Sequence, residues 1–378
     1  MRKLALLAIA SILAPLPAKA DNLPWGPKAD EVAWEIFVQL VSPAGDPKNP
    51  KVEFETWASD QDIFDASPAR WPSIGGQKAL RRSVLSHSAA GGVRPMALPS
   101  TTDLECPPPG LSGAAKGDPF PAKGCLGEEV RRNWASFQYI VGNSLDTKAG
   151  RVAFAKAGKI VDFPSDAIEF KGDWAPVGDV AQWVGIPPED VKNHYYVSSA
   201  TVGGKKDDYA LVALHFSSKL TKNWIWADFE HVKNPGRCDT IGCRDDWGST
   251  IEKTKPNKDT WKEYEQGCPR TKALEALEAA TGVADVWKNY CMKGTQIDFV
   301  AADGSKLLGN SVIEPLAANI PVSKSSCITC HGGALFDKST GAPFFGILSA
   351  NPVGPLPAYD KSKYASYDFV YGLLTGSK

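Results

Sequence analysis

The segment Cys327-Ile328-Thr329-Cys330-His331 constrains this chain more than any other. It spells C-x-x-C-H, the attachment signature of a c-type haem. Two thiols about one helical turn apart can each add across one vinyl group of the porphyrin, and the adjacent imidazole then lies under the iron as its proximal ligand. A structural zinc site would need a second ligand pair, and no other C-x-x-C occurs: the remaining cysteines are Cys106, Cys125, Cys238, Cys243, Cys268 and Cys291. A thioredoxin-like dithiol would need a βαβ setting, whereas Ser325-Ser326 leads into this motif and Gly332-Gly333 follows it.

The N-terminus supports the same reading. Met1-Arg2-Lys3 is a short basic start, Leu4 to Pro17 is apolar but too short to span a bilayer, and Ala18-Lys19-Ala20 precedes Asp21 as a small-x-small cleavage site. Residues 1–20 are therefore expected to be a secretory signal peptide. The mature chain is expected to be periplasmic or secreted, with no transmembrane segment after cleavage. Six cysteines remain beside the two of the motif, an even number that suits an oxidising compartment. Their spacing suggests three local pairs, Cys106–Cys125, Cys238–Cys243 and Cys268–Cys291.

Cleavage would remove three basic residues and no acidic one from a balance of 42 against 43, leaving a mildly acidic protein. Nothing in that balance points to nucleic acid. No GxSxG, P-loop or HExxH occurs. Cys238–Asp246 carries three carboxylates between and after two cysteines but lacks the EF-hand pattern, and reads as a solvated disulfide loop.

Periodicity predicts a helix over Asp30–Val41, capped by Asp30, a second over Gly127–Val141 and a third over Lys272–Tyr290. Ala167–Phe170, Tyr195–Val202, Tyr209–Ser217 and Trp224–Val232 read as strands, the last two joined by Lys219–Asn223 as a hairpin. Gln296–Val300 and Lys306–Leu308 flank Ala-Asp-Gly as another. The expected fold is an α+β N-terminal body (21–295) followed by a small, mostly α-helical haem-binding segment (296–378).

From about Gly309 onward the chain resembles, in part, a truncated class I cytochrome c domain. The resemblance rests on the C-x-x-C-H, on Pro343 in Gly341-Ala342-Pro343, and on a closing amphipathic helix over Tyr364–Leu374. It implies one covalent haem c held by Cys327, Cys330 and His331, with the Pro343 carbonyl accepting from the proximal imidazole. The family takes its second axial ligand from a downstream Met, yet no Met or His follows His331. The sixth iron position is then open or filled from upstream, with His231 or Met292 as candidate distal ligands. Trp224–Val232, Gly294–Phe299 and Ser325–His331 together are similar to uncharacterised bacterial cytochrome c-like proteins. The function implied is electron transfer by a periplasmic monohaem c-type cytochrome, served by a redox partner protein. Two alternatives stay open. One is a haem enzyme, oxidase or peroxidase-like, acting on a small-molecule substrate bound by the N-terminal body. The other is a partner-binding protein in which the haem is structural.

Overall fold

A computed structural model describes residues 27–44, 51–72, 126–202, 205–234, 236–238, 241–250, 267–299, 307–314, 322–344 and 353–374. The expected signal peptide and the expected Cys106–Cys125 pair lie outside the described residues.

The chain begins with α1 (Pro27–Val41), a small ribbon of β1 (Pro43–Ala44) and β2 (Lys51–Val52), and the short edge strand β3 (Ala58–Ser59). Then come β4 (Gly127–Arg132), α2 (Trp134–Gly142), α3 (Lys148–Lys156), β5 (Ile168–Pro176), α4 (Val177–Val184) and α5 (Pro188–His194). β6 (Val197–Val202), β7 (Lys205–Ser218) and β8 (Ile225–His231) follow, then α6 (Lys272–Thr281) and β9 (Tyr290–Gln296). The C-terminal part holds α7 (Cys327–Gly332), β10 (Leu335–Asp337), β11 (Pro343–Phe344) and β12 (Tyr364–Ser366).

Seven strands form one antiparallel sheet in the order β3-β4-β5-β7-β8-β9, with β6 paired to the first half of β7 and β8 to the second. Side chains alternate across such a sheet, and here the two faces differ sharply. One face is apolar: Phe170, Leu214, Phe216, Ile225, Ala227, Phe229 and Met292 share a core with Trp34, Phe37 and Leu40 of α1. Phe37 stacks on Phe229 at 4.5 Å between ring centroids, and Phe54 on Phe170 at 4.0 Å. The other face is polar. The register sets Glu169 opposite Ser217 and Ser217 opposite Trp226, and sets Lys171 opposite His215 and His215 opposite Asp228.

The polar face is covered by the C-terminal part. Asn310 Nδ2 donates to Asp228 at 2.7 Å, the Ser311 amide to Glu230 at 2.8 Å, and Gln296 Nε2 to the Ser326 hydroxyl at 3.2 Å. A second apolar core joins it to α2 and α3: Phe137, Ile140 and Phe154 pack with Trp224, Ile328, Phe336, Tyr367 and Val370.

This arrangement overturns the expected small, mostly helical segment. Among the described residues after 296, the only α-helix of any length is the six-residue α7, and β10 sits between β11 and β12 in a three-stranded antiparallel sheet. No closing helix spans Tyr364–Leu374. Its first three residues pair with β10, and Asp368 and Phe369 take φ of 54° and 72°, the left-handed region, which ends any helix there. Two further expectations are corrected. Gly127–Arg132 is strand, and the helix starts only after Asn133, whose side chain caps it by accepting from the Ser136 amide at 3.1 Å. The helix from Lys272 stops at Thr281 because Gly282 closes it at φ 70°.

The hairpin expected of Gln296–Val300 and Lys306–Leu308 does not form among the described residues: β9 ends at Gln296, Leu308 bridges Ser326 in parallel, and residues 300–306 lie outside them. Asp245 in the loop read as solvated is buried and accepts from Trp34 Nε1 at 2.8 Å. The β7–β8 hairpin forms as read, and Cys238–Cys243 and Cys268–Cys291 are disulfides. The first helix forms but begins at Pro27, so Asp30 lies in its first turn and does not cap it; its carboxylate accepts from the Thr295 hydroxyl at 2.7 Å and the Asp246 amide at 2.8 Å. No helix among the described residues is long and apolar enough to cross a membrane.

Candidate functional site

α7 is short, and its position is fixed by hydrogen bonds at its start. Ser326 caps it, accepting from the Thr329 amide at 3.4 Å, and Gln296 at the end of β9 accepts from the Ile328 amide at 3.2 Å. The Thr329 hydroxyl donates to the Gly354 carbonyl at 2.8 Å. Cys327 and Cys330, three residues apart, lie on one side of this turn. They are free thiols, not a disulfide. Burial pushes the Cys330 thiol up to about 11 and the Cys327 thiol well above its ordinary value.

His331 closes the helix. Its Nδ1 is 3.0 Å from the Phe369 carbonyl oxygen. A carbonyl only accepts, so Nδ1 carries the hydrogen and Nε2 keeps a lone pair. Burial, with Lys171 adding to it, lowers the imidazole to about 4, so the ring is neutral at pH 7. The ring is held between Trp226 at 4.5 Å and Tyr371 at 5.0 Å, and the Tyr371 hydroxyl donates to the Cys330 carbonyl at 2.7 Å. Phe369 is a bulky residue at positive φ, an uncommon conformation that clusters where function demands it. The Phe369 carbonyl takes the role expected of Pro343, which instead pairs with Phe336 in the small sheet.

Beside His331 a cleft, partly open to solvent, runs along the polar face of the sheet. Lys171, Arg132, Trp226, Tyr371, His215 and His331 are among its walls. The cations are paired: Lys171 with Glu128 at 2.6 Å, and Arg132 with Asp60 and with Glu169, the latter at 2.9 Å.

The structure places the two upstream candidates elsewhere. His231 lies on the apolar side of the sheet, five positions along β8 from Trp226 and therefore on the opposite face. Both its nitrogens are used: Nε2 donates to the His194 carbonyl at 2.9 Å and Nδ1 accepts from the Lys233 amide at 3.1 Å. Its ring stacks on Tyr195 at 3.5 Å, and burial lowers it to about 3. Met292 packs opposite Phe229 in the core beneath α1. The sheet stands between both residues and His331, so neither is placed to be a distal ligand.

The residue that the sequence reading passed over is His215. Its ring lies 6.2 Å from that of His331, centroid to centroid, with the planes at 86°. Its neighbours Leu214 and Phe216 belong to the apolar core. Strand alternation alone would have turned His215 to the other face, the one that carries Trp226.

One further cluster borders the motif. Ligand atoms of Asp228, Glu314 and Cys327, all buried, lie within 4.8 Å of one another. Burial raises Asp228 well above its ordinary value and Glu314 to about 7. The three groups therefore favour their protonated forms in the absence of a cation.

No protein-family model, curated protein or solved structure matches this chain.

Proposed function

We propose that this chain is an exported c-type haem protein that transfers electrons, with one haem held covalently by Cys327 and Cys330 and ligated by His331. The observation that carries this reading is the state of His331. Its Nδ1–H is spent on the Phe369 carbonyl, which leaves the other nitrogen as a basic, oriented metal donor; a buried partner of this kind is what fixes a ligating histidine. Two unbridged thiols on the same turn suit a group attached by two bonds, and a cleft open to solvent adjoins the imidazole.

Bound haem supplies one-electron chemistry, and the protein sets its potential and its access. This chain's own part is to hold the imidazole neutral and fixed in tautomer, and to line the cleft with Lys171 and Arg132 beside apolar Trp226. Export is supported by the N-terminal signal pattern and by the two disulfides, which form in oxidising compartments.

A second reading has its own observation. The Asp228–Glu314–Cys327 cluster offers two oxygens and one sulfur to a cation. The two readings compete for Cys327, because a sulfur bound to a porphyrin vinyl carbon is a thioether and no longer an anionic ligand.

Acid–acetone extraction of protein made in a host with c-type haem maturation separates them. The colour is expected to stay on the polypeptide and to be lost with Cys327→Ser plus Cys330→Ser. Colourless protein that carries a stoichiometric divalent metal, lost with Glu314→Gln, would replace the haem reading by the cation reading.

A further inference from the structure

We propose that His215 is the second axial ligand of the iron, opposite His331, so that the centre is a six-coordinate bis-imidazole haem. The inference rests on the haem reading above and goes beyond it, because it decides what such a haem does.

Distance is the first support. With metal–nitrogen bonds of about 2 Å and a further ~1 Å from ring nitrogen to ring centre, two imidazoles sharing one metal have centroids about 6 Å apart. The rings of His215 and His331 are 6.2 Å apart. No hydrogen bond joins the two rings among the described residues, so their approach has no other polar cause. Both rings line the same cleft.

The state of His215 is the second support. Its Nδ1 is enclosed and has no hydrogen-bond partner among the described residues. A buried polar atom left this way is costly to the fold, and such groups cluster at working sites.

Rigidity is the third. His215 stands in the C-terminal half of β7, paired on one side with Lys171 and on the other with Asp228. It projects from the centre of the seven-stranded sheet, whereas His331 comes from the segment laid over that face. The iron would thus be clamped between the two halves of the fold. An iron with two strong protein ligands passes electrons and resists small ligands, so this assignment favours the carrier over the oxidase or peroxidase-like alternative.

The test uses the full-length protein with its haem attached. Wild type is expected to be low-spin in both oxidation states, with a strongly anisotropic ferric EPR signal because the ring planes are near perpendicular. His215→Ala is expected to be high-spin, to regain the low-spin spectrum when imidazole is added, and to bind CO faster by on the order of 100-fold, since the site no longer waits for a ligand to leave. His215→Met, which keeps a ligand in place, is expected to stay low-spin, to gain a red-edge Met–iron band and to show a higher potential.

Covalent haem that is high-spin in wild type, or a low-spin spectrum unchanged in both variants, would overturn the role of His215 and leave haem attachment intact. Wild type without covalent haem would overturn both. If His215→Ala fails to fold, the wild-type EPR and CO rate together with His215→Met still decide.

Discussion

The two faces of the seven-stranded sheet are built on opposite rules. Beneath α1 the side chains are apolar and interlocked, and their contribution is burial: a fully buried large apolar side chain stabilises a fold by about 1.5–3 kcal/mol. Under the C-terminal part the same strands carry Glu128, Glu169, Lys171, Asp173, His215, Asp228 and Glu230. Several of their polar atoms are enclosed without hydrogen-bond partners among the described residues, among them both oxygens of Asp173 and one of Asp228. Burying charge costs more than it returns unless pairing is complete. The comparison separates a face that makes the sheet stable from one that spends stability, and the second is the face that meets the C-x-x-C-H.

The widest separation comes from removing the motif. Cys327→Ser with Cys330→Ser is expected to abolish covalent haem entirely, read by acid–acetone extraction, while the sheet still forms by circular dichroism. Loss of the sheet together with the haem would show that the two faces do not act independently. The converse change is Phe37→Ala on α1. Phe37 is fully buried and stacked on Phe229, and its loss is expected to cost about 3–5 kcal/mol in denaturant unfolding. The haem spectrum of the folded variant should be unaltered, and a change of spin state would show that the helical layer shapes the iron site across the sheet.

A smaller effect distinguishes the faces by pH. Asp173 on the polar face is raised from 3.8 to about 7, mainly by burial, with Glu128 and Glu314 adding and Lys171 opposing. Between those values the folded protein keeps a proton that the unfolded chain has lost. Stability from this group is therefore fullest below pH 3.8, falls as pH rises towards 7, and is level above it. Asp173→Asn removes the charge at nearly constant shape. It is expected to stabilise by about 1–4 kcal/mol at pH 8 and by little near pH 4, measured as the shift in denaturation midpoint at each pH. An equal shift at both would remove titration as the cause. Glu314, raised to about 7 by the same burial, leaves part of the slope in the variant.

The polar face also explains what the sequence concealed. α1 and the β7–β8 hairpin were legible because their apolar residues follow ordinary periods over a core. Gly127–Arg132 reads as helix because Glu128, Glu129, Arg131 and Arg132 look like a solvated surface, whereas all four are buried. Binary patterning assumes that charges face water, and it fails on a buried charged face. The C-terminal part failed for a different reason. Its three-residue strands are too short to show a period, and the turn at Asp368–Phe369 rests on positive φ in residues that seldom adopt it. At the site, the C-x-x-C-H was plain from covalent chemistry. His231 drew attention through its aromatic neighbours, yet five residues in a strand reverse the face, and that parity set it apart from Trp226. The same count, applied to Leu214, His215 and Phe216, would have singled out His215.

The smallest effect tests a residue that belongs to both rules at once. The ring of Tyr371 packs in the second apolar core and lies 5.0 Å from that of His331, while its hydroxyl donates to the Cys330 carbonyl. Tyr371→Phe keeps the ring and deletes the hydrogen bond, one of those that hold α7 in place. A single neutral hydrogen bond contributes about 0.5–1.5 kcal/mol, and the loss is expected in that range by denaturant midpoint, with haem content and spin state unchanged. A much larger loss, or a fall in haem content, would show that the Cys330 carbonyl needs this donor to present the thiol for attachment. The ring's packing would then be secondary, and the polar rule would govern even a residue whose bulk lies in an apolar core.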